Sequence, residues 1–271
     1  MQTSRDSGHP ARSVRLLRAL TVVAATVLVA ALAYQAVGAV LIVLRDQAET
    51  NRTTERFDPP VWAGQLLPPP CGNGGFYARD EASIVLTISA HCSVAVPGSP
   101  WHDADGRLIG TFGPPAQLPD CPDKRFCAPS DFVKFELAPD RIPWGHLNLV
   151  DLGAGGYRTI ERGMRPLSCS DVAEGDPVEV NGREHFRTGK VIAIGPYAYE
   201  SDTIFPCMII SDVHGEFGDS GGAVLVDGQP AGVTARVISD YLAFTPLAEG
   251  LENLGLVLCT TPNCDLTPPA P

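Results

Sequence analysis

From Ala82 to Ile238 the chain is a succession of short apolar runs cut apart by glycine and proline. They read ASIVLTIS, DFVKFEL, DPVEVNG, KVIAIG, PCMIISDV, GAVLVDG and AGVTARVI. Several alternate apolar and polar residues with a period of two, as strands do when one face is buried. VDGQP, from Val226 to Pro230, carries a hairpin-turn signal. No soluble segment sustains a long helical repeat, although PLAEGLENLGLVL suits a short helix near the C-terminus. The pattern predicts an all-β domain of many short strands, either a sandwich or barrels. The three prolines of LLPPPCGNGG stop regular structure and mark its beginning near Leu66.

The first 44 residues have another character. Arg5, Arg12, Arg15 and Arg18 stand against one acid, Asp6, and Ala19–Leu44 then holds no charged residue. As a helix those 26 residues extend roughly 39 Å, enough to span a bilayer core of about 30 Å with some tilt. The arginines precede the apolar segment, so the positive-inside rule leaves the N-terminus in the cytoplasm and the bulk outside. A cleaved signal peptide is the competing reading. Its apolar core is shorter, about 7–15 residues, and here apolar sequence resumes after Tyr34-Gln35 as AVGAVLIVL. The expected organisation is a basic cytoplasmic segment (1–18), a single transmembrane helix (19–44), a charged stalk (45–66), the β domain, and a C-terminal tail (259–271).

Beyond residue 44 the net charge is −14, because the first 44 residues carry +3 of the total of −11. Such a domain does not bind nucleic acid or anionic lipid by charge. All eight cysteines, 71, 92, 121, 127, 169, 207, 259 and 264, lie beyond the apolar segment. An even count in an oxidising compartment reads as four disulfides. Common zinc spacing, with two residues between cysteines, is missing, so no metal is expected. Proximity suggests Cys121–Cys127 and Cys259–Cys264, and leaves Cys71, Cys92, Cys169 and Cys207 to pair among themselves.

Three modest signals acquire meaning together. LTISAHC puts His91 at the end of an apolar run, PSDFVKFEL puts Asp131 at the head of an alternating one, and HGEFGDSGGAV puts Ser220 among glycines. GDSGG also fits the Gly-x-Ser-x-Gly elbow of α/β-hydrolases, which needs a histidine after the serine. The six histidines are 9, 91, 102, 146, 185 and 214, and none follows Ser220. The subtilisin order needs an aspartate well before the histidine, and only Asp80 is close. What remains is the order histidine, aspartate, serine.

SAHC around His91 resembles the Ala-Ala-His-Cys motif of chymotrypsin-like (trypsin-like) serine proteases. GDSGG matches their serine motif, and SDFVKFEL resembles their aspartate strand. The resemblance covers roughly residues 66–258, and the short loops look more like the bacterial branch than the digestive enzymes. It implies two antiparallel six-stranded β-barrels, 67–155 and 156–258, with the site between them. It implies His91, Asp131 and Ser220 as catalytic residues, and the backbone N–H groups of Gly218 and Ser220 as oxyanion donors. The family hairpin CGNGGFYARDEASIVLTISAHC implies a Cys71–Cys92 disulfide, which leaves Cys169–Cys207 as a staple in the second barrel. A protein or peptide substrate and no cofactor are implied.

The chain departs from the family in three places. No Ile-Val-Gly-Gly type of new N-terminus is found near residue 60, so either another partner holds Asp219, as in bacterial relatives, or activation differs. His214 stands where trypsin has its pocket aspartate, which removes the case for a basic-residue preference and leaves a polar or cationic pocket. The strand expected to line the cleft, with Thr234, Ala235 and Arg236, puts a charge either in solvent, the ordinary place for such a side chain, or where it would narrow or charge the cleft. The function expected is a membrane-anchored, extracytoplasmic serine endopeptidase. The alternatives are a catalytically silent peptide-binding or sensor module on the same fold, and an esterase with the same three residues.

Overall fold

The computed structural model describes residues 60–67, 72–81, 83–92, 97–116, 126–182, 186–199 and 203–266, all within Arg56–Pro271, one of two units into which the chain divides. The segment Ala19–Leu44 and the basic residues before it lie outside the described residues. Among the described residues no helix is long and apolar enough to cross a membrane.

The described strands, in chain order, are β1 (Tyr77–Arg79), β2 (Ile84–Ser89), β3 (Pro100–His102), β4 (Leu108–Pro115), β5 (Phe126–Cys127), β6 (Phe132–Leu137), β7 (Leu149–Asp151), β8 (Tyr157–Thr159), β9 (Pro177–Asn181), β10 (Phe186–Tyr199), β11 (Thr203–His214), β12 (Ala223–Val226), β13 (Gln229–Ile238), β14 (Tyr241–Pro246) and β15 (Val257–Leu258). One α-helix, α1 (Leu247–Asn253), follows β14. The first sheet is antiparallel in the order β15-β1-β2-β6-β4-β3. The second runs β10-β9-β12-β13-β14-β11, and β10 also pairs with β11, so six antiparallel strands close on themselves. β5 adds to β11 in parallel, and β7 with β8 forms a separate ribbon.

The second sheet is thus a closed six-stranded barrel. The first has six strands, but its end strands β15 and β3 are not paired to each other among the described residues. Its membership also differs from expectation. β15, close to the C-terminus, pairs with β1, so the end of the chain returns to the first sheet. Val61 and Ala63, at the end of the stretch read as stalk, are buried in the first sheet's core together with Leu67, and Ala63 bridges to Val150.

Apolar patterning explains the layers. All six residues of β2 are buried, and it pairs with β6, where Lys134 and Glu136 alternate outward from buried Val133, Phe135 and Leu137. Phe76, Leu86, Ile88, Ile109, Phe132 and Phe135 fill the first core. Val178, Val180, Val191, Ile209, Val224, Val226 and Phe244 fill the second. The expected hairpin between β12 and β13 turns at Asp227 and Gly228, both at positive φ, where glycine costs nothing and aspartate is tolerated.

The two sheets meet through side chains at strand ends. Ser89 Oγ, closing β2, donates to Thr234 O in β13 at 2.8 Å. Thr245 Oγ1, in β14, accepts from Ser130 Oγ at 2.8 Å and from Asp131 N–H at 2.9 Å. Disulfides join Cys169 to Cys207, beneath the closed barrel, and Cys259 to Cys264 after β15. The Cys71–Cys92 and Cys121–Cys127 pairings fall on residues or side chains outside the described ones.

Candidate active site

His91 lies in the 3-10 turn that ends β2, and Asp131 immediately precedes β6. Those strands are neighbours in register, Ser89 opposite Phe132, so their ends bring the two side chains together. His91 N–H donates to Asp131 Oδ1 at 3.2 Å, and its ring Nδ1 lies 2.5 Å from Asp131 Oδ2. Asp131 is buried, while the His91 side chain remains 38% exposed. Its far ring nitrogen, Nε2, is 2.9 Å from Ser220 Oγ. The structure therefore brings together three residues that are distant in sequence: one imidazole between a buried carboxylate and a serine hydroxyl.

Ser220 sits in a loop that no strand or helix organises, between β11 and β12. The loop's peptide groups have assigned places. Asp219 N–H donates to Glu216 O at 3.2 Å, Gly221 N–H to Thr234 O at 2.8 Å and Gly222 N–H to Asp219 O at 3.0 Å. Gly218 N–H and Ser220 N–H donate to no group among the described residues. Gly218 has φ +98, a left-handed conformation that a side chain would strain.

Asp219 is 1% exposed and carries a charge that needs a partner. The sequence left that partner open. It is Arg187 in β10, whose Nη2 lies 2.6 Å from Asp219 Oδ2. That nitrogen makes no aligned hydrogen bond, so the pair is held by charge. Nη1 of the same guanidinium donates to His214 O, and Glu216 N–H donates to Asp219 Oδ2 at 2.8 Å. A Cβ at Gly182 would fall on Arg187 Nη2 and against Asp219, so the pair is housed where only glycine leaves room.

The residues proposed from sequence to line a pocket are placed unequally. Thr234 and Ala235 are fully buried, and Thr234 braces the serine loop from behind. His214 is exposed, in register with Tyr241 of β14. Arg236 is half-buried, with its guanidinium 5.4 Å from the centroid of the Tyr197 ring. Phe217, beside Gly218, is 84% exposed. Among the described residues no cluster of histidine, cysteine and carboxylates suits a metal ion.

Three contributors carry no sequence motif. Arg187 lies in REHFRTGK, Thr245 in AFTPL, and Asn73 in CGNGG, and each acts on residues far along the chain. Only the buried charge of Asp219 predicts that some cation must stand beside it.

No protein-family model matches the chain, and none of the curated proteins does. Solved structures do. The chymotrypsin of Cellulomonas bogoriensis is 20% identical, with a TM-score of 0.55, covering 74% of this chain and 100% of its own. Protease A of Thermobifida fusca is 20% identical, with a TM-score of 0.54, covering 73% and 98%. A glutamic acid-specific serine protease, described as using a histidine triad in substrate binding, is 17% identical, with a TM-score of 0.53 over 69% and 92%. The structural neighbours are thus chymotrypsin-like bacterial serine proteases, and at these identities the likeness shows the fold.

Proposed function

We propose that this chain is a serine endopeptidase that cleaves peptide bonds through an acyl-enzyme intermediate, and that it works outside the cytoplasmic membrane, anchored by Ala19–Leu44. One observation carries the chemistry: Ser220 Oγ, His91 and Asp131 form a continuous chain of contacts of 2.9 and 2.5 Å. A serine hydroxyl is a weak nucleophile at neutral pH and needs such a base. As Oγ bonds to the substrate carbonyl carbon, its proton passes to His91 Nε2. Asp131 stays ionised, fixes the imidazole through Nδ1–H and stabilises its charged form. The carbonyl oxygen becomes an anion, and the N–H groups of Gly218 and Ser220 are the donors available to it. His91 then gives its proton to the departing amine, and water repeats the sequence on the acyl-enzyme.

The substrate's path has support in the sheet. β12 pairs with β13 only as far as Val233, and β13 continues to Ile238 with β14 alone beside it among the described strands. An extended peptide can add to such an edge next to Ser220, main chain to main chain. The two disulfides support an oxidising, extracytoplasmic setting.

The test is a fluorophosphonate probe on the full-length protein beside Ser220→Ala and His91→Ala. Labelling that requires both residues is expected, with peptide hydrolysis lowered by about 10⁴–10⁶ in either variant. A folded, disulfide-bonded protein that neither labels nor cleaves would overturn the proposal in favour of a binding module. Cleavage of esters but not of peptide amides would reassign it as an esterase.

A further inference from the structure

We infer that Asn73 is a positioning residue for the oxyanion donors, a role that rests on the protease reading above. Asn73 is fully buried in the loop before β1. It reaches the serine loop twice. Its backbone N–H donates to Ser220 O at 2.8 Å, and its side-chain Nδ2 donates to Gly218 O at 3.0 Å. The two loops are pressed together around it. A Cβ at Gly72 would fall on Gly218 O, and a Cβ at Gly221 would fall on Asn73 O.

The consequence follows from the planarity of peptide groups. The plane joining Gly218 to Asp219 is pinned at both ends, its oxygen by Asn73 Nδ2 and its N–H by Glu216 O. The plane joining Ser220 to Gly221 is pinned likewise, its oxygen by Asn73 N–H and its N–H by Thr234 O. Gly218 N–H and Ser220 N–H belong to the planes that alternate with these fixed ones, and among the described residues they have no acceptor. Of the four anchors, only the one on Gly218 O comes from a side chain. Gly218 at φ +98 is a position where the chain rotates easily, so that anchor restrains a soft point of the loop.

Asn73→Ala removes the side-chain anchor and leaves the backbone one. Turnover of a peptide substrate should fall roughly tenfold to a hundredfold, less than the about 10²–10³ lost when a donor is deleted outright. KM should stay within about twofold, because ground-state binding does not use the oxyanion donors. Affinity for a peptide aldehyde, whose adduct with Ser220 carries the oxyanion, should fall with turnover. Asn73→Asp gives a signature that a merely structural role lacks. The buried carboxyl can donate to Gly218 O while protonated and repels it once ionised. Its turnover relative to wild type should therefore fall as pH rises, whereas the ratio for Asn73→Ala stays flat. An active wild type with Asn73→Ala turnover within twofold overturns the inference alone. So does a loss confined to KM or to melting temperature with a flat ratio for Asn73→Asp. A wild type that neither labels nor cleaves overturns the protease reading, and this inference with it.

Discussion

The two halves of the site are held in different ways. His91 and Asp131 are set down by regular structure, at the ends of the paired strands β2 and β6. Ser220 and Gly218 stand in a loop without regular structure, held by groups borrowed from elsewhere: Asn73 before β1, Arg187 in β10 and Thr234 in β13. The difference teaches where precision comes from. A strand end inherits its position from a ladder of hydrogen bonds and a packed face. A loop that must leave two N–H groups unpaired cannot satisfy itself, so its other peptide groups need partners of their own. The base and carboxylate should tolerate changes in the serine loop's supports, while the oxyanion donors should not.

Removing the ion pair behind the loop tests this most severely. Arg187→Met keeps the volume but takes away the cation that stands beside the buried Asp219 carboxylate, a change that costs about 3–5 kcal/mol. The loop is expected to rearrange rather than hold that charge, with turnover falling by about 10²–10³, as for a lost oxyanion donor. Gly182→Ala should reproduce the defect by displacing the pair without altering either charge. The histidine should remain in place. Proton NMR of the His91 ring, whose Nδ1 lies 2.5 Å from Asp131 Oδ2, should look the same in wild type and Arg187→Met. A changed His91 signal would break the distinction between the two halves.

The same distinction explains what could be read from the sequence. The β class, the strands near His91 and Asp131, and the Asp227-Gly228 hairpin were legible because local pattern decides them. The order of the three site residues was legible because few arrangements of histidine, aspartate and serine remain once the alternatives fail. Arg187, Asn73 and Thr245 were not, because long-range packing alone defines their roles. The turn between β13 and β14 was also hidden. Ser239 and Asp240 adopt positive φ without a glycine to announce it. The return of β15 to the first sheet has no local signal at all.

A control on the first sheet sharpens the contrast. Asp103 and Arg141 form a buried ion pair at 2.7 Å in the first half of the domain. Burial alone would raise the Asp103 carboxyl. Hydrogen bonds from Arg107 N–H, Arg141 and Asp105 N–H, with the Arg141 charge, outweigh it and hold the group below its usual value. A carboxyl depressed in the folded state contributes stability above its unfolded value and loses it as pH falls through the folded one. Asp103→Ala should cost about 3–5 kcal/mol of stability by removing the carboxylate beside buried Arg141. It should also remove this component of acid sensitivity, so wild type and variant converge in melting temperature at low pH. Turnover per folded molecule should stay unchanged. A fall in turnover would mean that the first sheet's supports reach the site after all.

The smallest expected effect concerns which substrates enter. Arg236 lies two residues beyond Thr234 on the open part of β13, where an added peptide strand would run. Its guanidinium lies over the Tyr197 ring, which positions a positive charge along that path. A half-exposed charge acts through solvent, so its attraction for an acidic side chain is worth about 0.2–1 kcal/mol. Arg236→Ala should therefore lower kcat/KM for peptides carrying an acidic residue near the scissile bond by at most about fivefold, with neutral peptides unaffected. Added salt should shrink the difference between wild type and variant, since screening removes the same attraction. If neutral peptides instead gain from Arg236→Ala, the side chain obstructs the cleft rather than reading charge. The loop would then hold the chemistry while β13, the regular element beside it, restricts access, and the rigid strand would be the selective half.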